Sequence, residues 1–557
     1  MAAKKSTKTA KTAKTTRRTT ARTARRRTIS AAASPRASTA LKALSGRASR
    51  GTEMTVELGP QASAAAVAVM EKNEPRPYTT RYPIPDDRFA GLKQDASQTT
   101  IAKGLLTASV DKGAKTESLT AAPLQLADAT AVEPSAAPSP SSNFAGIPAT
   151  GWLPPDCTMA AGPSHVLLSV NSSLALHNKA GGGLVLQRTL TQWFGNLATD
   201  LTVFDPKVLF DQHAGRWVVL AVAFRTNPNK SVFLLSVSAS SNPLGQWRNY
   251  TFDAMKDGTT QTANWADFPG LGVDTHALYV TANMFAFNGG FQYAKIRVIP
   301  KAGPYSGGPA PFFDFVRMRN PDNSMAFTIQ PCHTFGAPQV EYLVNSRFPS
   351  GNSLTLWRIV NPATTPALTR AAVPVGAYSL PPNATQRGGA PPLNTGDVRV
   401  LHAVFRGDSV WLALTTNRDW GAGNRASVHW FQVRAATNTL VQQGIYGTRN
   451  AHYFYPAGCP DNNGNFVLVF SRSGSTEFGS IGYTGRRASD PLGTLQPSAL
   501  LKAGVAHYVG LDSQGRNRWG DYNGIAADPG NPRLIWVYSE FTSAANTWGT
   551  WVGSSFF

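Results

Sequence analysis

The chain has 557 residues, 42% of them hydrophobic and 10% aromatic, which is enough apolar material for a sizeable core. Its formal net charge is +21 at pH 7, but the first 50 residues hold 15 Lys or Arg and no acid, which leaves +6 for the remainder. A uniformly basic folded surface is therefore excluded. The sequence has no stretch of about 18 apolar residues, so we predict no helix that spans a membrane.

Residues 1–50 consist mainly of Lys, Arg, Thr and Ala and have almost nothing to bury, so we predict a disordered basic tail. Three roles are open for it: a polycation that binds nucleic acid or another anionic polymer, a targeting segment, or a solubilising tail. Arg17 and Arg18 form a twin-arginine pair, but no apolar segment follows, and we predict no signal peptide. Residues 51–142, rich in Ala, Ser, Thr and Pro, are predicted to be a linker.

An alternating apolar run returns seven times after the linker, and we call these segments repeats 1 to 7. The runs are SHVLLSVN (164–171), RWVVLAVAF (216–224), ALYVTANMF (277–285), EYLVNSRF (341–348), SVWLALTTN (409–417), NFVLVFSRS (465–473) and RLIWVYSEF (533–541). A turn with Gly, Asn or Asp precedes each run, which is typical of a β-hairpin, so another apolar strand should lie before each turn.

Further strands follow most runs, such as SVFLLSVSAS after repeat 2 and SVHWFQVR after repeat 5. Each repeat is therefore predicted to be a four-stranded antiparallel sheet. A period of this size in β-branched and aromatic residues predicts an all-β fold, a seven-bladed β-propeller over residues 143–557, with six or eight blades as alternatives. Only three strands are evident in repeat 7, so we expect a segment just upstream of Pro154 to supply its outer strand.

Three cysteines, Cys157, Cys332 and Cys459, each lie just ahead of a run, in repeats 1, 4 and 6. Repeats that are not neighbours in a ring do not bring their cysteines together. Buried free thiols are the simpler interpretation than a disulfide framework.

Five segments resemble bacterial β-propeller proteins of the sialidase-like superfamily, which are mostly extracellular and without assigned activity. They are GWLPPDCTMAAGPSHVLLSVNSSLALHNK, FDPKVLFDQHAGRWVV, LNTGDVRVLHAVFRGDSVWLA, YFYPAGCPDNNGNFVLVFSRS and NRWGDYNGIAADP. The resemblance covers about residues 145–557 and implies a fold more firmly than a reaction. It implies an extracellular location, although the chain shows no recognisable signal peptide.

The sequence departs from the sialidase pattern in two ways. The superfamily's Asp-box motif, Ser-x-Asp-x-Gly-x-x-Trp, is matched only imperfectly. The two nearest segments are SSNPLGQW (240–247) and ASDPLGTL (488–495), each with one extra residue before the Gly. Sialidases also use three arginines, a Tyr nucleophile with a Glu partner and an Asp acid, and this set is not mapped onto particular residues here.

The residues that enter each inner strand should line the mouth of the central channel, where propellers usually hold ligands. In chain order they are Asp156, Asp205, Asp267, Cys332 with His333, Asp397, Tyr455 and Asp521. So many carboxylates at one mouth need cations, backbone donors or a proton, because like charges raise one another's pKa. Arg399 and Arg518 lie close by in sequence and would grip an anionic group.

These residues predict a cup for a carbohydrate or another small polar ligand. Asp397 or Asp521 would be the general acid, with a second carboxylate or Tyr522 opposite it, if the protein is a glycoside hydrolase or lyase. The ligand-binding set is predicted to be Arg399, Arg518, Asp156, Asp205, Asp267, His333, Tyr455 and Trp519.

Non-catalytic interpretations stay open at this stage. An Asp at the start of an inner strand can simply accept backbone N–H bonds and hold the ring together. The protein could then be a recognition module, or a monomeric scaffold whose basic tail binds nucleic acid or an anionic surface.

No cofactor is predicted. The turns DNNGN (461–465) and ADPGN (527–531) leave calcium open, although hairpin turns explain both more simply. The histidines show no zinc spacing, and we predict no metal ligands.

Overall fold

The computed structural model describes residues 49–50, 52–57, 137–512 and 514–557. It shows an all-β β-propeller built from four-stranded antiparallel blades. The predicted basic tail and linker lie outside the described residues, except for two short strands and the residues from 137 onward. No helix in the described part of the chain is long and apolar enough to cross a membrane.

The strands that precede the repeats and those of repeats 1 to 3 are as follows. Ahead of the repeats lie β1 (Ser49–Arg50), β2 (Thr52–Glu57) and β3 (Ser139–Pro148). Repeat 1 has β4 (Thr158–Ala161), β5 (His165–Val170), β6 (Ser173–Asn178) and β7 (Leu184–Thr189), followed by the helix α1 (Leu190–Phe194) and a 3₁₀ turn (Gly195–Ala198). Repeat 2 has β8 (Thr202–Asp211), β9 (Arg216–Thr226), β10 (Asn229–Ser238) and β11 (Gln246–Asp253), then the small hairpin β12 (Lys256–Asp257) and β13 (Thr260–Gln261). Repeat 3 has β14 (Asn264–Val273), β15 (Ala277–Ala286) and β16 (Phe291–Pro300), the helix α2 (Ala302–Ser306) and β17 (Pro311–Phe315).

The strands of repeats 4 to 7 follow the same plan. Repeat 4 has β18 (Gln330–Pro331), β19 (His333–Thr334), β20 (Val340–Ser346), β21 (Gly351–Val360) and β22 (Ala367–Tyr378). Repeat 5 has β23 (Ala403–Arg406), β24 (Ser409–Asp419), β25 (Asn424–Arg434) and β26 (Thr439–Tyr446). Repeat 6 has β27 (His452–Pro460), β28 (Phe466–Gly474), β29 (Glu477–Arg486) and β30 (Ala499–Lys502). Repeat 7 has β31 (Gly524–Ala527), β32 (Ile535–Ala544) and β33 (Thr547–Phe556). All seven predicted runs are confirmed as strands.

The number of blades differs from the prediction. The described strands form five self-contained blades rather than seven, from repeats 1, 2, 4, 6 and 7, while the strands of repeats 3 and 5 share one ten-stranded sheet. The cause is β19, which leaves repeat 4 after Cys332 and pairs in parallel with β14 on one side and β23 on the other. The inner segment of repeat 4 is too short to separate its neighbours at this end of the sheets.

The last blade contains a strand from each end of the propeller. β3 pairs antiparallel with β33, with Phe144 opposite Val552, so the sheet order is β3-β33-β32-β31. The prediction that a segment upstream of Pro154 completes repeat 7 is therefore confirmed. This pairing ties residues far apart in sequence and closes the ring.

The core lies between the faces of adjacent sheets. Trp265 of β14 is fully buried, with its ring centroid 5.3 Å from Phe224 of repeat 2 and 5.5 Å from Phe285 of its own repeat. Because each sheet is covered on both faces, its inner strands are almost continuously apolar rather than strictly alternating. Cys157, Cys332 and Cys459 lie in these buried layers as free thiols.

Candidate functional site

The inner strands begin at a ring of left-handed backbone turns. One residue in each repeat has a positive φ close to its inner strand: Asp156 (53°), Asp205 (48°), Phe268 (51°), Thr328 (50°), Gly396 (70°), Tyr455 (51°) and Gly520 (35°). Such angles are strained for residues other than Gly, Asn and Asp, and they persist only where the surroundings enforce them. The backbone around the channel mouth is therefore held in this conformation by its neighbours.

Side chains of adjacent repeats enforce these turns. The backbone N–H of Asp205 donates to Oδ1 of Asn171 at 2.7 Å, and that of Thr328 donates to Oδ1 of Asn283 at 2.8 Å. The Asp205 carboxylate in turn accepts the N–H of Phe268 at 3.2 Å. Asp205 therefore accepts a backbone N–H from the next repeat, which is the contact expected of an aspartate that stabilises the ring.

Asp156 and Asp267 are also buried at the mouth, with exposed fractions of 0% and 6%. The side-chain amide of Asn171 donates to Oδ2 of Asp156 at 2.5 Å. The charges of Asp156, Asp205 and Asp267 all act on the phenol of Tyr522. The three aspartates therefore lie near one another, around Tyr522.

Asp397 and Arg399 form a closed ion pair. Nε and Nη2 of Arg399 bind both carboxylate oxygens at 2.5–3.0 Å, and the Arg399 backbone N–H adds a third contact at 2.9 Å. The Asp397 side chain is 0% exposed. The guanidinium lies over the rings of Phe268 and Phe327, 4.4 and 5.0 Å from their centroids. Asp397 is thus placed where it holds an arginine, below the surface that a ligand would touch.

Asp521 and Arg518 form an open ion pair. One guanidinium nitrogen, Nη2, lies 3.1 and 3.0 Å from the two carboxylate oxygens, and the side chains of Arg518 and Asp521 are 14% and 20% exposed. Donor and acceptor atoms therefore lie side by side at the surface of the mouth. This geometry can bind a hydroxyl pair or a carboxylate.

Tyr522 lies below this pair with its ring under a lysine that the sequence analysis did not select. Nζ of Lys207 is 2.9 Å from the Tyr522 ring centroid. Burial raises the pKa of Tyr522 well above its usual value, and the nearby charges of Asp205, Asp156, Asp521 and Asp267 raise it further. The phenol is therefore a neutral hydroxyl, suited to donate a hydrogen bond rather than to act as a phenolate.

Glu540 is a second group that the sequence analysis missed. It lies on β32, is 1% exposed, and its Oε1 occupies the space that a Cβ on Gly520 would need. Burial raises the pKa of Glu540 well above its usual value, and Asp156 and Asp521 raise it further, against the opposing charge of Arg518. These effects favour the protonated, neutral form of Glu540, which lies beneath the turn that carries Asp521.

Tyr455 and Trp519 are part of the wall of the mouth. The Tyr455 hydroxyl donates to Oδ1 of Asn394 at 3.3 Å, and burial, followed by the charge of Asp521, raises its pKa well above the usual value. Trp519 is 0% exposed and packs edge-to-face on Tyr508 at 5.2 Å. Neither ring presents a free face to a ligand.

His333 lies apart from the other predicted residues, in the channel itself. Its Nε2–H donates to Oε1 of Gln212 at 2.8 Å, and the neighbouring His402 donates Nδ1–H to the Gly458 carbonyl at 3.2 Å. Both line a cavity of about 60 Å³ together with Lys207 and the inner strands of several repeats. A space of that volume holds a few water molecules, so a sugar ring would have to bind at the mouth instead.

The structure thus brings together all of the predicted residues except His333. The two that were missed, Lys207 and Glu540, are charged residues within apolar strands (FDPKVLF and RLIWVYSEF). A charge in a strand buried on both faces is rare, and that signal could have identified them.

The candidate calcium turns are occupied by their own hydrogen bonds. Asp461 accepts from the backbone of Asn463 and Asn465, and Asp528 accepts from the backbone of Gly530 and Asn531. Within the described residues, no group of three or more His, Cys, Asp or Glu side chains is arranged to hold a metal ion.

Comparison with known proteins assigns no family to the chain. No family model matches it, and no curated protein matches it. Solved structures similar to it include the Dos1 propeller, with 10% identity over 75% of this chain and 95% of that chain and a TM-score of 0.34. Another is the α-L-arabinofuranosidase Arb93A from Fusarium graminearum, with 8% identity, 74% and 97% coverage and a TM-score of 0.33. A mutant of Trypanosoma rangeli sialidase shows 9% identity, 63% and 53% coverage and a TM-score of 0.31.

Proposed function

We propose that the protein binds a carbohydrate or another hydroxyl-rich polar ligand at the channel mouth, between the open pair of repeat 7 and the wall of repeats 5 and 6. The observation that carries this proposal is a group of buried polar atoms with no hydrogen-bond partner among the described residues. They are the hydroxyls of Tyr508 and Tyr522, Nε1 of Trp519 and Oε2 of Glu540.

Such atoms are costly in a folded protein. Leaving one buried donor or acceptor unsatisfied costs about 1–3 kcal/mol, and native proteins keep few of them. All four lie near the Arg518–Asp521 pair, which supports a site in which the hydroxyl groups of a ligand provide the missing hydrogen-bond partners. The Arg518–Asp521 pair supplies the exposed donors and acceptors that give such a ligand its orientation.

The charged groups described at the mouth are of both signs, and a hydroxylated ligand suits them because a hydroxyl can both donate and accept hydrogen bonds. Six acidic side chains lie at the mouth, and three cations, Lys207, Arg399 and Arg518, accompany them. Two of the cations are already committed to ion pairs with Asp397 and Asp521.

Catalysis remains a prediction within this proposal. Asp521 is the predicted general acid that a ligand can reach, with a side chain 20% exposed, whereas Asp397 has both oxygens bound to Arg399. Glycosidic cleavage would therefore use Asp521, with the neutral Tyr522 hydroxyl near it. The alternative role, a scaffold whose basic tail binds nucleic acid or an anionic surface, concerns residues outside the described part of the chain.

Thermal unfolding of the full chain against calcium, EDTA and a panel of neutral and acidic sugars tests the binding proposal. A ligand at about 100 times its dissociation constant adds about 2.7 kcal/mol to the native state. We expect one class of sugar to raise the melting temperature of the wild type, and Asp521→Asn to lose that rise.

Glu477→Gln is the matched control. Glu477 pairs with Arg472 in the hairpin between β28 and β29, and the two side chains are 20% and 21% exposed, as in the open pair. We expect this variant to keep the full ligand-dependent rise. The proposal fails if no sugar shifts the melting temperature, or if both variants respond to the sugar alike.

A further inference from the structure

Lys207 differs from the other buried lysines of the described residues. Lys295 is ion-paired with Asp257 at 2.8 Å and Lys301 with Asp211 at 2.7 Å. Lys207 is 8% exposed, and no carboxylate oxygen of the described residues is within ion-pair distance of its Nζ. Its nearest neighbour is the face of Tyr522 instead.

The environment of the amine favours its neutral form. Burial lowers the pKa of Lys207 to about 7, which outweighs the opposing attraction of Asp205, Asp156 and Asp521. About half of the side chains therefore carry a free lone pair at neutral pH, against roughly one in a thousand or fewer for an exposed lysine. A desolvated amine of this kind is a nucleophile towards carbonyl compounds.

A base lies beside the amine in the same cavity. His402 lines the cavity with Lys207, and because Nδ1–H of His402 donates to the Gly458 carbonyl, its Nε2 carries the lone pair. Burial lowers the pKa of His402 to about 4, and the charge of Lys207 contributes to that shift, so the imidazole is neutral at pH 7. Nε2 can relay to the carbonyl oxygen the proton that the nitrogen loses when it attacks.

We propose that Lys207 forms a reversible imine with a small aldehyde that enters the channel mouth. The nitrogen lone pair attacks the carbonyl carbon, the π electrons move to oxygen, and the proton lost by nitrogen is transferred to that oxygen to give a carbinolamine. The nitrogen lone pair then forms the C=N bond as the hydroxyl leaves with a proton as water. No oxidant or reductant is needed.

This reactivity is distinct from the proposed carbohydrate binding, because it uses the cavity below the mouth and does not need the open pair. The narrow cavity limits the reagent to an aldehyde of one or two carbons. If Lys207 serves only as a buried counter-ion for the aspartates, it does not react with aldehydes.

The test is incubation of the full chain with formaldehyde or glycolaldehyde at pH 7, quenching with borohydride, and mass spectrometry of the peptides. We expect Lys207 to be modified at least ~10-fold faster than the exposed Lys230, since its larger free-amine fraction outweighs its lower intrinsic nucleophilicity and restricted access. The rate at Lys207 should level off above about pH 8, as its amine becomes fully deprotonated.

Two variants complete the test. Lys207→Arg keeps the charge but cannot form the imine, so labelling of that peptide should vanish while circular dichroism stays unchanged. Tyr522→Phe keeps the ring under the amine and should still be labelled at Lys207. The proposal is overturned if neither aldehyde modifies Lys207 faster than Lys230. It is also overturned if Lys207 is modified as slowly as the ion-paired Lys301.

Discussion

The Gly-Asp turns of repeats 5 and 7 each place an aspartate beside an arginine, but at different depths. Asp397 is 0% exposed and bound through both oxygens by Arg399, whereas Asp521 is 20% exposed and meets a single nitrogen of Arg518. The arginine follows the aspartate by two positions in repeat 5, and the Asp397 carboxylate also accepts the Arg399 backbone N–H, so a local turn closes the pair. In repeat 7 the arginine precedes the turn at Gly520, and the pair stays open. The comparison shows that one turn secures the ring while the other presents groups to a ligand.

The largest expected effect comes from breaking the closed pair. Arg399→Met should destabilise the protein by about 3–5 kcal/mol, because it leaves the buried Asp397 charge without its partner. Arg518→Met should cost only about 1 kcal/mol, because water can reach Asp521. Urea unfolding at pH 7 measures both, and equal losses in the two variants would contradict the difference in depth.

A pH-dependent effect is expected from the acid beneath the open pair. In the unfolded chain Glu540 ionises near its ordinary pKa of about 4.3, whereas the folded state raises that pKa through burial and the charges of Asp156 and Asp521. Its contribution to stability is therefore full below the unfolded pKa and is lost as the pH rises towards the folded pKa.

Glu540→Gln cannot ionise, so it should match the wild type near pH 4 and become more stable than the wild type above it. The advantage should grow by up to about 1.4 kcal/mol for each pH unit. Unfolding free energies at pH 4.5, 6 and 7.5 give this slope. A difference between the two proteins that does not change with pH would show that Glu540 is ionised in the folded state.

The smallest expected effect is that of removing the open charge itself. Asp521→Asn should change the unfolding free energy by less than about 1 kcal/mol, since the exposed pair contributes little to stability. Asp397→Asn, its counterpart in repeat 5, should cost about 1–3 kcal/mol because it breaks buried contacts to Arg399. The melting temperatures of the two variants measure this difference in stability. A large drop for Asp521→Asn would show that Asp521 is structural as well.

Local sequence patterns were enough to predict the repeated strands of the propeller. The seven runs, their hairpin turns and the outer strand supplied from upstream of Pro154 follow from alternating apolar residues and turn chemistry, which act over a few residues. The proximity of Asp156, Asp205 and Asp267 to Tyr522 has the same origin, because equivalent positions of a repeat occupy equivalent places in a ring.

Tertiary contacts decided the remainder, since they join residues far apart in the chain. The parallel pairing of β19 with both neighbours merged repeats 3 and 5 into one sheet, and no local pattern encodes a pairing between strands of different repeats. The packing of neighbouring sheets buries Asp397 and leaves Asp521 partly exposed. It also places Lys207 against the ring of Tyr522 and Glu540 under Gly520. Burial and neighbouring charge set the protonation of these groups, and both are properties of the assembled ring.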